Sequence, residues 1–181
     1  MNQPSRKTLI VLGTALFAMG LLAGWTGSRL ASPLRGVPTV AFYGDWRVAC
    51  PGVARKNRAC ELNREVIDGK SRSRVAALTL TRADSGMLLV VTVPLNILIR
   101  PGLGLALDAG RPRVYPFTTC LGTGCIARIP VDNALLAQLR KEPQARLQFA
   151  APDRQVMQVA FPLAGFRRAD DAARRAGSLL W

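Results

Sequence analysis

The chain contains no histidine, and that one absence removes every Ser-His-Asp or Cys-His nucleophile arrangement and every His-ligated metal site. Aromatic residues are only 6% of the sequence, too few for the stacking platforms of a single-strand nucleic-acid binder. Carboxylates are scarce as well: 11 Asp and Glu face 25 Lys and Arg, a formal net charge of +14. Asp45, Glu61, Glu65, Asp68 and Asp108 are scattered, so their spacing prescribes no hydrolytic carboxylate pair. Lysine occurs only at positions 7, 56, 70 and 141, and arginine supplies the remaining basic residues. Phosphate-binding motifs fail too. Gly69-Lys70-Ser71 ends like a phosphate loop, but Arg64 stands where its first glycine belongs; Gly102-Leu103-Gly104 opens a dinucleotide fingerprint whose third glycine position is Leu107. What the chain does have is apolar content, 49% over 181 residues. That suffices for one real core and excludes wholesale disorder, and the length leaves no room for two multi-domain halves.

Arg6 and Lys7 precede an uncharged run from Thr8 to Ser28 that ends only at Arg29. As a helix this run spans about 30 Å, the thickness of a bilayer's hydrocarbon core. Residues 1–28 are therefore expected to be a transmembrane anchor. A cleaved signal is the alternative, and Ala18-Met19-Gly20 is a modest small-x-small site for it. Basic residues flank the run on both sides, so charge does not orient it. Residues 29–39, with two prolines and no apolar period, read as a linker, and 40–181 as the folded domain.

Within that domain, eight strand-sized runs follow one another: Val40–Cys50, Ala59–Val66, Arg74–Thr81, Met87–Val93, Leu103–Asp108, Cys125–Val131, Arg146–Ala150 and Gln155–Phe161. The continuously apolar Met87–Val93 run suits a strand buried on both faces, and Asp84-Ser85-Gly86 suits a hairpin turn. Two helices are expected. Asp132 caps the first, over Asp132–Lys141, and Pro143 stops it; the second runs from about Gly165 to Ala176, with Asp170/Arg174 and Asp171/Arg175 in acid-first i,i+4 order. The fold class is thus mainly β, an antiparallel sandwich or barrel with one or two short helices.

Cys50, Cys60, Cys120 and Cys125 match neither a zinc ribbon nor a C-x-x-C redox site. Three disulfide pairings are open. Loop-closure entropy favours long bridges, about 4.4 kcal/mol against about 2–3 kcal/mol for local ones. The short Leu121–Gly124 separation, with two glycines, instead invites local closure, and local pairs Cys50–Cys60 and Cys120–Cys125 are the preferred reading. Disulfides after an export segment place the domain outside the cytoplasm, in the envelope or secreted.

Beyond Arg6 and Lys7, 23 basic residues still face 11 acidic ones. The candidate anionic-surface patch is Arg55, Lys56, Arg58, Arg72 and Arg74, on the Cys50–Cys60 loop and the turn after the next strand. Its expected partner is an anionic envelope or host-surface component. Nucleic acid is disfavoured because no recognition helix accompanies the patch. No small-molecule substrate, metal or cofactor is indicated.

The stretch Phe42-Tyr43-Gly44-Asp45-Trp46-Arg47-Val48-Ala49-Cys50 resembles the opening signature of the invasion-associated locus B family of bacterial envelope proteins. Further blocks follow in the family's order: Val93-Pro94-Leu95 with Pro101-Gly102-Leu103, then Pro116-Phe117 with Cys120 and Gly124-Cys125, and lastly Phe161-Pro162-Leu163-Ala164-Gly165-Phe166. The resemblance covers about residues 40–175. It implies a β-rich, secreted or membrane-held envelope domain, linked in some pathogens to host-cell entry, and it supplies no catalytic residue. The bare residues read structurally: Trp46 as a core anchor, Gly44 and Gly102 as turn residues, Pro94 as strand-edge punctuation, with Asp45, Gly124, Gly165 and Phe166 as motif partners. The expected function is a non-catalytic, membrane-tethered module acting by surface contact. Its rival from the enzyme class is a thiol-disulfide helper using Cys120 and Cys125.

Overall fold

The structure is a computed structural model that describes residues 38–52, 59–83, 86–107 and 110–178. The chain divides into two units, Met1–Arg35 and Gly36–Trp181, and every described residue belongs to the second. The Thr8–Ser28 run lies outside the described residues. Among those described, no helix is long and apolar enough to cross a membrane.

Eleven strands and two helices are described. In chain order they are β1 (Thr39–Tyr43), β2 (Trp46–Cys50), β3 (Glu61–Ile67), β4 (Arg74–Ala83), β5 (Gly86–Val93), β6 (Leu103–Leu107), β7 (Arg113–Tyr115), β8 (Phe117–Leu121), β9 (Gly124–Val131), α1 (Asn133–Lys141), β10 (Gln144–Ala150), β11 (Val156–Pro162) and α2 (Phe166–Ser178). A seven-stranded sheet runs β1-β2-β3-β4-β5-β9-β8 and a four-stranded sheet β11-β10-β6-β7. Every strand pairing is antiparallel. Alternation along the long strands explains why two sheets form. Ala76, Leu78 and Leu80 of β4, Leu89, Val91 and Val93 of β5, and Ala127, Ile129 and Val131 of β9 share one buried face. Against it lie Leu103, Leu105, Ala145, Leu147 and Phe161 of the smaller sheet, in one contiguous core.

The mainly β, two-sheet expectation holds, with instructive differences. The Val40–Cys50 run is two strands, because Gly44 at φ +63° turns the chain and pairs Tyr43 with Trp46. Strand β5 is central but not buried on both faces: Leu88, Val90 and Thr92 are only partly covered, since nothing described packs on that side of the seven-stranded sheet. The strand buried on both faces is β6, where all five residues are buried. Ala83 pairs with Gly86, so the hairpin closes across residues 84 and 85, which lie outside the described residues.

Helix α1 begins as its sequence dictates. Asp132 accepts the Leu135 N–H at 2.7 Å, and Leu135, Leu136 and Leu139 are buried. On α2, Asp170 does pair with Arg174 at 3.0 Å. Asp171 takes Arg140 of α1 at 2.7 Å and also feels the attraction of Arg175, and Arg140 also binds the buried Asp170. The two helices are thereby clamped to each other, and the Arg140 hydrogen bond holds the Asp171 carboxyl below the usual carboxylate range.

Candidate functional site

Motif residues far apart in sequence meet at the β1–β2 turn. Gly165, at φ +87°, lies so close to that turn that a Cβ on it would stand 2.0 Å from the Tyr43 carbonyl oxygen; one on Gly44 would stand 3.2 Å from the Ala164 oxygen. This backbone-on-backbone seat lets α2 deliver Phe166 edge-on to Trp46, ring centroids 5.0 Å apart at 73°. Both rings are fully buried.

Beneath them lies a residue the motif reading missed. Arg64 of β3 points inward with its side chain 5% exposed, its guanidinium carbon 5.7 Å from the Trp46 ring and 5.8 Å from the Phe161 ring. Its Nη2 donates to Asp45 Oδ2 at 2.7 Å, while the Asp45 side chain is 67% exposed. Arg64 Nε and Nη1, and Trp46 Nε1, have no hydrogen-bond partner among the described residues. A signal for Arg64 existed: in Leu62-Asn63-Arg64-Glu65-Val66 it takes the same parity as two inward apolar residues. Together Gly44, Asp45, Trp46, Arg64, Phe161, Gly165 and Phe166 form a packing lock.

Pro94, Gly102, Gly124, Cys120 and Cys125 gather elsewhere, at the end of the sandwich where β5 finishes. Gly124 (φ +140°) packs against the Val93 carbonyl, where a Cβ would stand 2.2 Å from the oxygen. A shallow cavity of about 280 Å³ opens there, lined by Arg74, Val93, Pro94, Leu95, Gly122 and Thr123, among others. Arg74 donates to the Thr123 carbonyl and to Glu65, each at 3.3 Å. In the adjoining turn, Asp68 accepts the Ser71 N–H at 2.7 Å, then the Ser71 hydroxyl and the Lys70 N–H. These bonds hold its carboxyl below the usual range.

The structure pairs Cys50 with Cys60 and Cys120 with Cys125, and no cysteine is free. The second pair sits on directly opposed residues of β8 and β9. Replacing both members of either pair with alanine is expected to cost about 2–3 kcal/mol, read as a lowered denaturation midpoint against the parent.

Of the candidate basic patch, Arg55, Lys56 and Arg58 lie outside the described residues. Arg72 and Arg74 stand at the Ile67 end of the β3–β4 hairpin, whereas Cys60 immediately precedes the Glu61 end of β3. The full length of β3 therefore separates the two arginines from the anchor of the other three residues. Among the described residues no group of three Cys, Asp or Glu could hold a metal ion.

A family model described as Invasion associated locus B (IalB) protein matches residues 46–174. Invasion protein B homologs of Brucella abortus strain 2308 and of biovar 1 strain 9-941 are each 27% identical over 99 residues, 54% of this chain and 57% of the relative. The chain thus aligns with little more than half the length of these curated relatives. A crystal structure of invasion associated protein b from Bartonella henselae is similar with a TM-score of 0.68 at 23% identity, covering 77% of this chain and 99% of the other, a likeness of fold. Signature residues interlocked in the core, two disulfides, an antiparallel two-sheet fold and a family match over most of the length lead to one assignment: the chain belongs to the invasion associated locus B family.

Proposed function

We propose that the chain is a non-catalytic, membrane-tethered envelope protein whose β domain lies outside the cytoplasm and works by surface contact rather than turnover. One observation carries this reading: Gly44, Trp46, Gly165 and Phe166 are spent on holding α2 against the β1–β2 turn. The part of the sequence that identifies the family builds a scaffold, and on a rigid scaffold contact is left to loops and faces. Two disulfides suit an oxidising compartment. The uncharged Thr8–Ser28 run supplies a tether of membrane-spanning length. The relatives in Brucella are named as invasion proteins, and a contact role accords with that name.

The test uses the full chain with a carboxy-terminal epitope, expressed in a Gram-negative host. The expected result is a carbonate-resistant membrane protein of full mass whose epitope is protected in intact cells and digested in spheroplasts. A carbonate-soluble product would overturn the tether, and protection of the epitope in spheroplasts would overturn the location. The thiol-helper alternative requires a reactive cysteine after mild reduction. Alkylation that labels none of the four under those conditions sets it aside.

A further inference from the structure

Exposed large apolar side chains are not spread evenly over the described surface. Ile67, Leu95, Ile99, Leu121, Val156 and Met157 are exposed around one end of the sandwich, the end at which β5 finishes and β6 begins. Contacts tie this end together. Ile67 pairs with Arg74, and Arg74 reaches the Thr123 carbonyl beside Leu121 and lines one cavity with Leu95. Leu98, next to Ile99, bridges to Ala150, whose partner on the other side is Val156.

Cations stand between these apolar residues. Lys70, Arg72, Arg100 and Arg154 are exposed and make no ion pair with a described residue. The carboxylates nearby are occupied: Glu65 by Arg74, Asp68 by turn amides, and Asp153 by the Gln155 N–H.

The backbone adds an independent sign. Three non-glycine residues among those described have positive φ, Arg72 (+56°), Asn96 (+69°) and Arg154 (+67°). All three sit in turns of this same end. The left-handed region is costly for residues with a Cβ and natural for glycine. Two of the three are nevertheless arginines, which places long cationic side chains at turn positions where glycine fits more cheaply. Such outliers concentrate where a side chain is needed for function.

We propose that this end of the domain is a docking face for an anionic lipid bilayer. Leu95, Ile99, Leu121 and Val156 enter the headgroup layer, and Arg72, Arg100 and Arg154 meet lipid phosphates. Apolar tips interleaved with cations are the pattern of an interfacial contact, in which each basic residue adds to attraction for a negative surface. This deepens the reading of a membrane-tethered domain, and reach permits it. Ten residues separate Ser28 from Thr39 and span at most about 36 Å extended. Thr39 pairs with Cys50 at the opposite end of the strands, about 20 Å from this face at roughly 3.3 Å per residue of strand.

Hydrogen exchange of the full chain in nanodiscs decides the proposal, comparing phosphatidylcholine alone with phosphatidylcholine mixed with phosphatidylglycerol. Amides of residues 69–73, 95–101 and 152–155 are expected to exchange severalfold more slowly in the anionic discs. Amides of β4 and β5 are expected to be unchanged, which reports an intact fold. Replacing Arg72, Arg100 and Arg154 together with glutamine removes roughly a fivefold factor per residue, about a hundredfold in contact affinity, and so abolishes the slowing. Equal exchange in the two lipids would overturn the docking face, as would retained slowing in the triple variant. Should the chain not remain in the disc, the tethering reading falls, and the same exchange comparison with added vesicles of the two compositions still decides the docking face.

Discussion

Gly165→Ala is expected to destabilise the domain by about 3–5 kcal/mol, a large part of the 5–15 kcal/mol typical of a folded domain. Two costs combine. The φ of +87° lies in the region L side chains rarely adopt, and the added methyl would fall 2.0 Å from the Tyr43 oxygen and 2.7 Å from its carbonyl carbon. Both obstacles are main chain, so no side-chain rotation relieves them. Relief requires α2 to withdraw from the β1–β2 turn, which separates Phe166 from Trp46. Gly69→Ala is the control, because nothing lies within 4 Å of its Cβ position; it should change stability by less than about 0.5 kcal/mol. Denaturant midpoints and slopes of the two variants against the parent give the comparison. A Gly165→Ala midpoint equal to that of Gly69→Ala would mean that the turn and helix separate freely and that no lock exists.

Most of the sheet architecture was legible because burial on one face leaves alternation in the sequence. β4 and β9 show it in the plain, as Ala76-x-Leu78-x-Leu80 and Ala127-x-Ile129-x-Val131. Helix α1 announced itself through its cap, its leucines and its proline stop. β7 and β8 did not, since Arg113-Val114 and Thr118-Thr119-Cys120 are exposed edge segments held by pairing rather than by burial. The turn at Gly44 was visible as a glycine, yet the run around it still read as one strand, because a tight turn removes too few residues to break the pattern.

Site-level features divide along the same line. Local information placed the Cys120–Cys125 clamp and the i,i+4 pair of Asp170 with Arg174. It could not show that Asp171 answers Arg140, 31 residues away, nor that Gly165 abuts Tyr43. Those depend on where α2 lands, and that is set by the whole core. The geometry of the candidate basic patch depends on strand pairing in the same way. Arg58 and Arg72 are close along the chain, but β3 runs between their segments and carries Arg72 and Arg74 to its far end.

Trp46→Ala is expected to be comparably severe, about 3–5 kcal/mol from the cavity and the lost transfer energy of a buried aromatic. Its surroundings argue for the upper part of that range. Trp46 is 1% exposed, so the cavity would be enclosed; Phe166 loses its ring partner and Arg64 one of its two. Arg64 is the more exposed to that loss. Its guanidinium is buried with a hydrogen bond to Asp45 and two nitrogens without a partner among the described residues; the aromatic faces supply much of the remaining compensation for its charge. Trp46→Phe keeps a ring and should cost less than the alanine variant. A double-mutant cycle of Trp46→Leu with Arg64→Met isolates the ring–cation term, because both replacements fill space without charge or ring. Coupling of about 1–2 kcal/mol is expected for a desolvated pair. Coupling near zero would show that Arg64 is held by Asp45 and by its packing alone, and would reduce the Gly-Asp-Trp turn to a glycine, a carboxylate and a bulky apolar side chain acting separately.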